Sequence, residues 1–340
     1  MRRIVDNVIR PTSPARLGAI LPGFLICFGI ALSAVWIRNM SGIAALNPVA
    51  AALLLGLVIG TLSGRPAKFR PGIAFSVRPL LRAAIVLLGL QVTLGALVSD
   101  GLGVLALAAA VVVLTLPFTI ALGRLIGVDP ALAQLIGMGT AICGASAIVA
   151  ANQVARGRDE DVTYALAVIT LCGTVAMLVY PALMPITGFD AHTYGIWAGA
   201  SIHEVVQAVG AAAAGGEEAA RSGTVAKLAR VFLLAPAVMA LGVWIGRSAG
   251  KDEPVRMAVP WFAFGFLALV VVNSLGLVPG VIVQASRVAV PVMLAASVAA
   301  LGLSTDLRAL RGRGGAPLLL GIASTAFIAI LAWVGALPLS

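Results

Sequence analysis

Residues 104–122 and 317–337 are apolar at every helical position, with neither the one-sided stripe of a soluble amphipathic helix nor the alternation of a half-buried strand. Windows of this kind recur from end to end, separated by Arg, Pro and Gly. They predict eleven spans, near 18–37, 46–62, 77–98, 102–124, 131–152, 163–186, 192–214, 225–246, 259–277, 284–304 and 316–337. A helix crosses a hydrocarbon core of about 30 Å in roughly 20 residues, which these windows supply. A membrane barrel would alternate apolar and polar residues over strands of about ten residues, and that pattern is missing. The expected fold is all-α, a polytopic transmembrane bundle of 10–11 helices.

Composition agrees. Of 340 residues, 61% are hydrophobic and 11% charged, too few charges to solvate a globular surface. The 38 glycines and 18 prolines suit close helix packing in lipid, where apolar surface gives helices no net drive to associate. The net charge of +10 lies in short segments between spans rather than in one stripe, so no nucleic acid is expected as partner; the lipid bilayer is. Cys27, Cys143 and Cys172 fall inside apolar spans and are odd in number, which points to reduced thiols rather than a disulfide framework or a zinc set. The first apolar stretch is long enough to be kept as a helix. The expected organisation is therefore a cytoplasmic segment, 1–17, and one transmembrane domain, 18–340.

Lys and Arg outside the spans or at their ends divide sixteen to seven in favour of the side holding the N-terminus. Basic segments stay cytoplasmic, so the N-terminus is expected in the cytoplasm and the C-terminus outside. The chain also echoes itself. Leu88–Leu107 and Leu301–Leu320 share nine residues of twenty, and LGLVIG at Leu55–Gly60 is matched by LGLVPG at Leu275–Gly280. An odd number of spans separates the copies, which predicts inverted repeats, the signature of secondary transporters. The halves would be approximately 46–187 and 192–337.

Two spans carry the candidate chemistry. The fifth reads GMGTAICGASAIVAANQV, with glycines beside Thr140, Cys143, Gly144 and Ser146 and with Asn152 further on. Such a segment can be interrupted at mid-membrane so that free amides and a helix dipole hold an anion. The alternative is an unbroken small-residue helix whose hydroxyls bond their own carbonyls. The seventh span holds His203, Glu204 and Gln207, costly in lipid unless they face protein or water. These three form a candidate ion or proton relay, since histidine titrates near neutral pH; the alternative places them, solvated, at the interface. Asn273 and Ser274 are further candidates for substrate contact, and Gln91, Thr93, Ser304 and Thr305 weaker ones. Asp306 is read as an interface residue, and Arg78 and Arg82 as snorkelling anchors. No arginine pair stands out within the spans to clamp an oxyanion.

With two histidines and no HExxH, GxSxG or phosphate-binding loop, the sequence predicts no enzyme, no catalytic residue, no metal and no cofactor. Transport would run on a proton or sodium gradient, by exchange, or down the substrate's own gradient.

The motifs GTAICGASAI (Gly139–Ile148), SIHEVVQAVGAA (Ser201–Ala212), NSLGLVPG (Asn273–Gly280) and ALGLSTDLRAL (Ala300–Leu310) resemble those of the YeiH-like conserved hypothetical membrane proteins of bacteria, often labelled sulfate exporters. The resemblance runs from about residue 18 to the C-terminus. It implies a bacterial inner-membrane location and a distant likeness to the bile-acid and arsenite carriers, with two inverted five-helix units and broken helices. The expected function is a secondary transporter of a small anion, sulfate or a related sulfur oxyanion or sulfonate, with homo-oligomerisation open; the alternative is a channel or a non-transporting scaffold.

Overall fold

The structure is a computed structural model and describes residues 14–41, 48–63, 66–244, 261–305 and 315–339. The first thirteen residues of the expected cytoplasmic segment, and Asp306, lie outside the described residues. Every regular element among those described is helical. In chain order they are α1 (Pro14–Ser41), α2 (Pro48–Leu62), α3 (Ala67–Gln91), α4 (Leu94–Leu125), α5 (Pro130–Ala141), α6 (Ala145–Ala155), α7 (Asp159–Thr187), α8 (Ala191–Ser201), α9 (Val205–Ala213), α10 (Glu217–Phe232), α11 (Leu234–Trp244), α12 (Trp261–Ser274), α13 (Gly280–Ser304) and α14 (Ala316–Ala336). Seven helices, with α10 and α11 counted as one, are long and apolar enough to cross a membrane. The chain is a multi-pass helical membrane protein.

Each of the eleven expected spans has its helical counterpart, but the fifth and seventh are hairpins rather than crossings. In the fifth, α5 and α6 fold back on each other: a Cβ on Gly139 would lie 3.0 Å from Ile148, and one on Gly157 would lie 3.2 Å from Leu135. A straight helix would part the second pair by about 33 Å at roughly 1.5 Å per residue. In the seventh, the Tyr194 hydroxyl on α8 donates to the carbonyl of Ala211 on α9 at 2.9 Å. Both hairpins begin alike. A left-handed glycine (Gly127, φ 75°; Gly188, φ 71°) turns the chain, an apolar residue follows, and an aspartate caps the first helix. Asp129 accepts from the amide of Ala131, and Asp190 from that of Thr193.

The hairpins meet tip to tip. Along α14, Leu320 approaches Gly123, which itself packs on Ala133 of the first hairpin, whereas the carbonyl of Ala329 accepts from Trp197 of the second. Along α7, Ile169 packs on Gly139, while Thr174 and Tyr180 bond Gln207 and Ser201. The first hairpin thus occupies one half of the bundle and the second the other. α10 begins beside the second, where Gly195 and Gly199 admit its backbone, and α11 continues onto α6.

Around this unit, α1, α2, α3, α12 and α13 form a second group of helices. The crossing of α2 with α13 is glycine-mediated: a Cβ on Gly60 of α2 would lie 2.6 Å from the carbonyl oxygen of Leu303 on α13. Small residues let helix backbones touch where burial alone gives no drive.

The hairpins change the charge count. Arg156 and Arg158 now sit at the same end as Arg124, and Lys227 and Arg230, counted from sequence as charges at the end of the eighth span, are wholly buried at mid-bundle. Among the described residues, Lys68, Arg70, Arg124, Arg156 and Arg158 lie toward one end of the bundle and Arg221 and Arg287 toward the other.

Candidate substrate site at the hairpin tips

A helix leaves its last four carbonyls unpaired, and its C-terminus carries about half a negative charge. Both α5 and α8 end inside the bundle, and α10 supplies what they lack. Lys227 and Arg230, three residues apart and so on one helical face, point into the gap between the tips. Lys227 Nζ donates to the carbonyls of Ile142 (2.8 Å), Ile202 (2.6 Å) and His203. Arg230 donates from Nε to Ala141 (3.0 Å), from Nη2 to Thr140 (2.6 Å), and from Nη1 to Ile202 (2.8 Å) and Gly199 (3.2 Å). One helix therefore holds both tips.

The first tip turns through Gly144, whose φ of 62° and ψ of −120° suit glycine alone. A Cβ there would also lie 2.6 Å from Glu204 Cγ, so the second tip presses on the first. Glu204 begins α9, with its amide donating to Gln207 Oε1 at 3.2 Å and its carboxylate 3.4 Å from the Thr170 hydroxyl. Gln207 is fully engaged: its Nε2 donates to the Thr170 carbonyl and the Thr174 hydroxyl, fastening α9 to α7. His203 is wholly buried, with Nε2 3.0 Å from Thr325 Oγ1. Thr325 Oγ1 also lies 2.6 Å from the Gly321 carbonyl of its own helix. Nδ1 is buried without a hydrogen-bond partner among the described residues, as is the hydroxyl of Thr140.

A cavity of about 540 Å³ opens beside the tips, between the hairpin unit and the outer helices. It runs from Cys143 and Glu204 along α6 and α7 to Gln153 and Thr163, toward the end bearing Arg156 and Arg158. Ser146 and the N-terminus of α6, which has no side-chain cap, face it. So do Arg78 and Arg82 on the opposite wall, both exposed to it, with the Arg82 guanidinium 5.7 Å from the Phe262 ring centroid. Arg78 lies within a π turn, Ser76–Leu80, that includes Pro79.

Of the residues singled out in sequence, Cys143, Ser146 and Glu204 line the cavity, Gly144 shapes its tip, and Thr140 and His203 lie buried behind it. Ser304 and Thr305 also reach the wall. Gln91, which donates to the Ser286 hydroxyl at 3.2 Å, and three of the substrate-contact candidates lie elsewhere. Asn152 accepts from the Gly157 amide at the outer end of the first hairpin. Asn273 donates to the Val92 carbonyl, and Ser274 accepts from the Leu94 amide, joining α12 to the start of α4. Lys227, Arg230 and the cavity-facing role of Arg78 and Arg82 were not foreseen. The available signal was two cations three residues apart within an otherwise apolar run, VAKLARVFLLAPAVMALGVW.

A family model described as "Conserved hypothetical protein 698" matches residues 22–321, from α1 into α14. The chain belongs to that family. Similar proteins include a UPF0324 membrane protein of Agrobacterium fabrum, 35% identical over 93% of this chain and 92% of its own, and the UPF0324 membrane protein TauZ of Paracoccus denitrificans, 36% identical over 93% and 95%. A UPF0324 membrane protein of Bacillus anthracis is 33% identical over 92% and 93%. The family match takes in both hairpins and α10, so the whole tip assembly lies within the shared region. No solved structure matches the chain.

Proposed function

We propose that this chain is a secondary carrier of a small anion, sulfate or a related sulfur oxyanion or sulfonate. The observation that carries the reading is the surplus of positive charge around a cavity at the hairpin tips. Lys227, Arg230, Arg78 and Arg82 bring four charges, and the N-termini of α6 and α9 add about one more between them. Against these stand Glu204 and the C-termini of α5 and α8, about two negative charges together. A site with this balance favours an anion over a cation. The cavity volume lies within the range of small-molecule sites.

The two hairpin-plus-span units, 130–187 and 191–244, are read as inverted copies, each led by a Gly-apolar-Asp turn and entering from opposite faces. Such a unit moving against the outer helices exposes the cavity to each side in turn. By the distribution of basic residues the N-terminus is cytoplasmic and this conformation opens inward; the family resemblance implies the bacterial inner membrane. Glu204 is the carboxylate on the cavity wall, with His203 beside it, and the pair is assigned proton coupling.

Reconstitution tests the reading. Vesicles holding the purified protein should take up labelled sulfate or a small alkylsulfonate saturably, and faster when the same anion is loaded inside. Unsaturable flux would make it a channel, and no flux of any anion would return it to a scaffold. Replacing Glu204 by Gln should abolish the response to a pH gradient while leaving membrane insertion intact.

A further inference from the structure

The three donors of Lys227 Nζ end on three backbone carbonyls drawn from two separate hairpins, Ile142 of the first and Ile202 and His203 of the second. Nothing else is needed to saturate an ammonium, which has three donors and no acceptor. The site is fully closed, and the C-termini of α5 and α8 both turn their negative ends toward it. Carbonyl oxygens at the ends of broken helices, converging on one point in a closed site, are the kind of ligand that holds a monovalent metal ion in carriers. Here the group at that point is a side-chain ammonium.

We infer that the Lys227 ammonium occupies a built-in site for a monovalent alkali cation, and that the carrier therefore needs no such ion at its hairpin tips. The inference rests on the carrier reading only for its consequence in transport; the site itself stands on the geometry. A tethered cation neutralises the two helix ends permanently, without exchanging with either bathing solution. Arg230 supports this arrangement by taking the neighbouring carbonyls of Thr140, Ala141 and Gly199 and sharing that of Ile202. The charge that an ion would carry in and out is thus fixed to α10, and a sodium gradient has no point of attachment here.

Truncating the side chain should open the site to an ion. The purified full chain and its Lys227→Ala and Lys227→Ser variants would be melted in detergent in sodium, potassium, lithium or choline chloride at constant ionic strength, with Lys68→Ala as an exposed control. The unaltered protein should melt at the same temperature in every salt. The two Lys227 variants should melt lower in choline and regain part of the loss, saturably, in one of the alkali salts, and the control should behave as the unaltered protein does. Saturable stabilisation of the unaltered protein by sodium would overturn the inference. So would a lack of response to all three alkali ions in the variants, or failure to purify either variant even in alkali chloride. A sulfate titration on the same unaltered sample reads the anion site separately: its failure would count against the carrier and leave the cation result standing.

Discussion

The hydroxyl of Tyr194 reaches the carbonyl of Ala211 at 2.9 Å, although a continuous helix would hold the two residues about 25 Å apart at roughly 1.5 Å per residue. This contact makes the seventh apolar segment a hairpin whose ends share one face of the protein. The fifth segment behaves likewise, so two of the eleven apolar segments double back instead of crossing.

That topology is testable by cysteine labelling in a variant lacking Cys27, Cys143 and Cys172. Arg124→Cys and Glu160→Cys, which flank the first hairpin, should react with an impermeant maleimide from one side of the membrane. Ile186→Cys and Glu218→Cys, which flank the second, should react from the other. Crossing helices would instead split each pair between the two sides.

Gly144→Ala forces a side chain into a left-handed backbone and against Glu204 Cγ. A cost of about 1–3 kcal/mol is expected. Thermal melting should show the loss, and the anion response should fall with it, because the N-terminus of α6 can no longer hold its place. Gly216→Ala, with its positive φ but open surroundings, should lower the melting temperature without altering anion binding.

Removing Arg230 leaves the carbonyls of Thr140 and Ala141 buried without their donor. Each such group costs about 1–3 kcal/mol, so Arg230→Ala should be among the most destabilising single changes in the chain. Arg230→Lys keeps the charge but cannot reach four carbonyls at once, and should recover only part of the lost melting temperature.

Arg78 and Arg82 should act on the ligand rather than on the fold, since both are exposed to the cavity. Glutamine at either position should weaken sulfate-dependent stabilisation by on the order of tenfold, the worth of a charge-assisted hydrogen bond. Melting without anion should change little. An unaltered sulfate midpoint in the double variant would remove both arginines from the site.

Apolar length alone determines that the chain is a membrane-spanning helical bundle, because a bilayer admits little else. The glycines of the fifth segment announce an interruption in the sequence itself, because backbone freedom is a local property that Gly144 carries wherever it sits. The polar cluster at His203 to Gln207 likewise announces burial against protein, because lipid tolerates such residues only against protein or water. Hairpin and crossing, however, use the same apolar residues at the same length, and only contacts such as Tyr194 with Ala211 tell them apart. Asn152, Asn273 and Ser274 look like Ser146 in sequence, yet they serve local turns and helix ends, since a polar side chain takes whichever partner the fold brings near. The buried cations are hidden for the same reason. The carbonyls that stabilise Lys227 and Arg230 belong to helix ends far away in the chain, and until tertiary folding brings those ends to α10, the two residues read as ordinary charges at the end of a span.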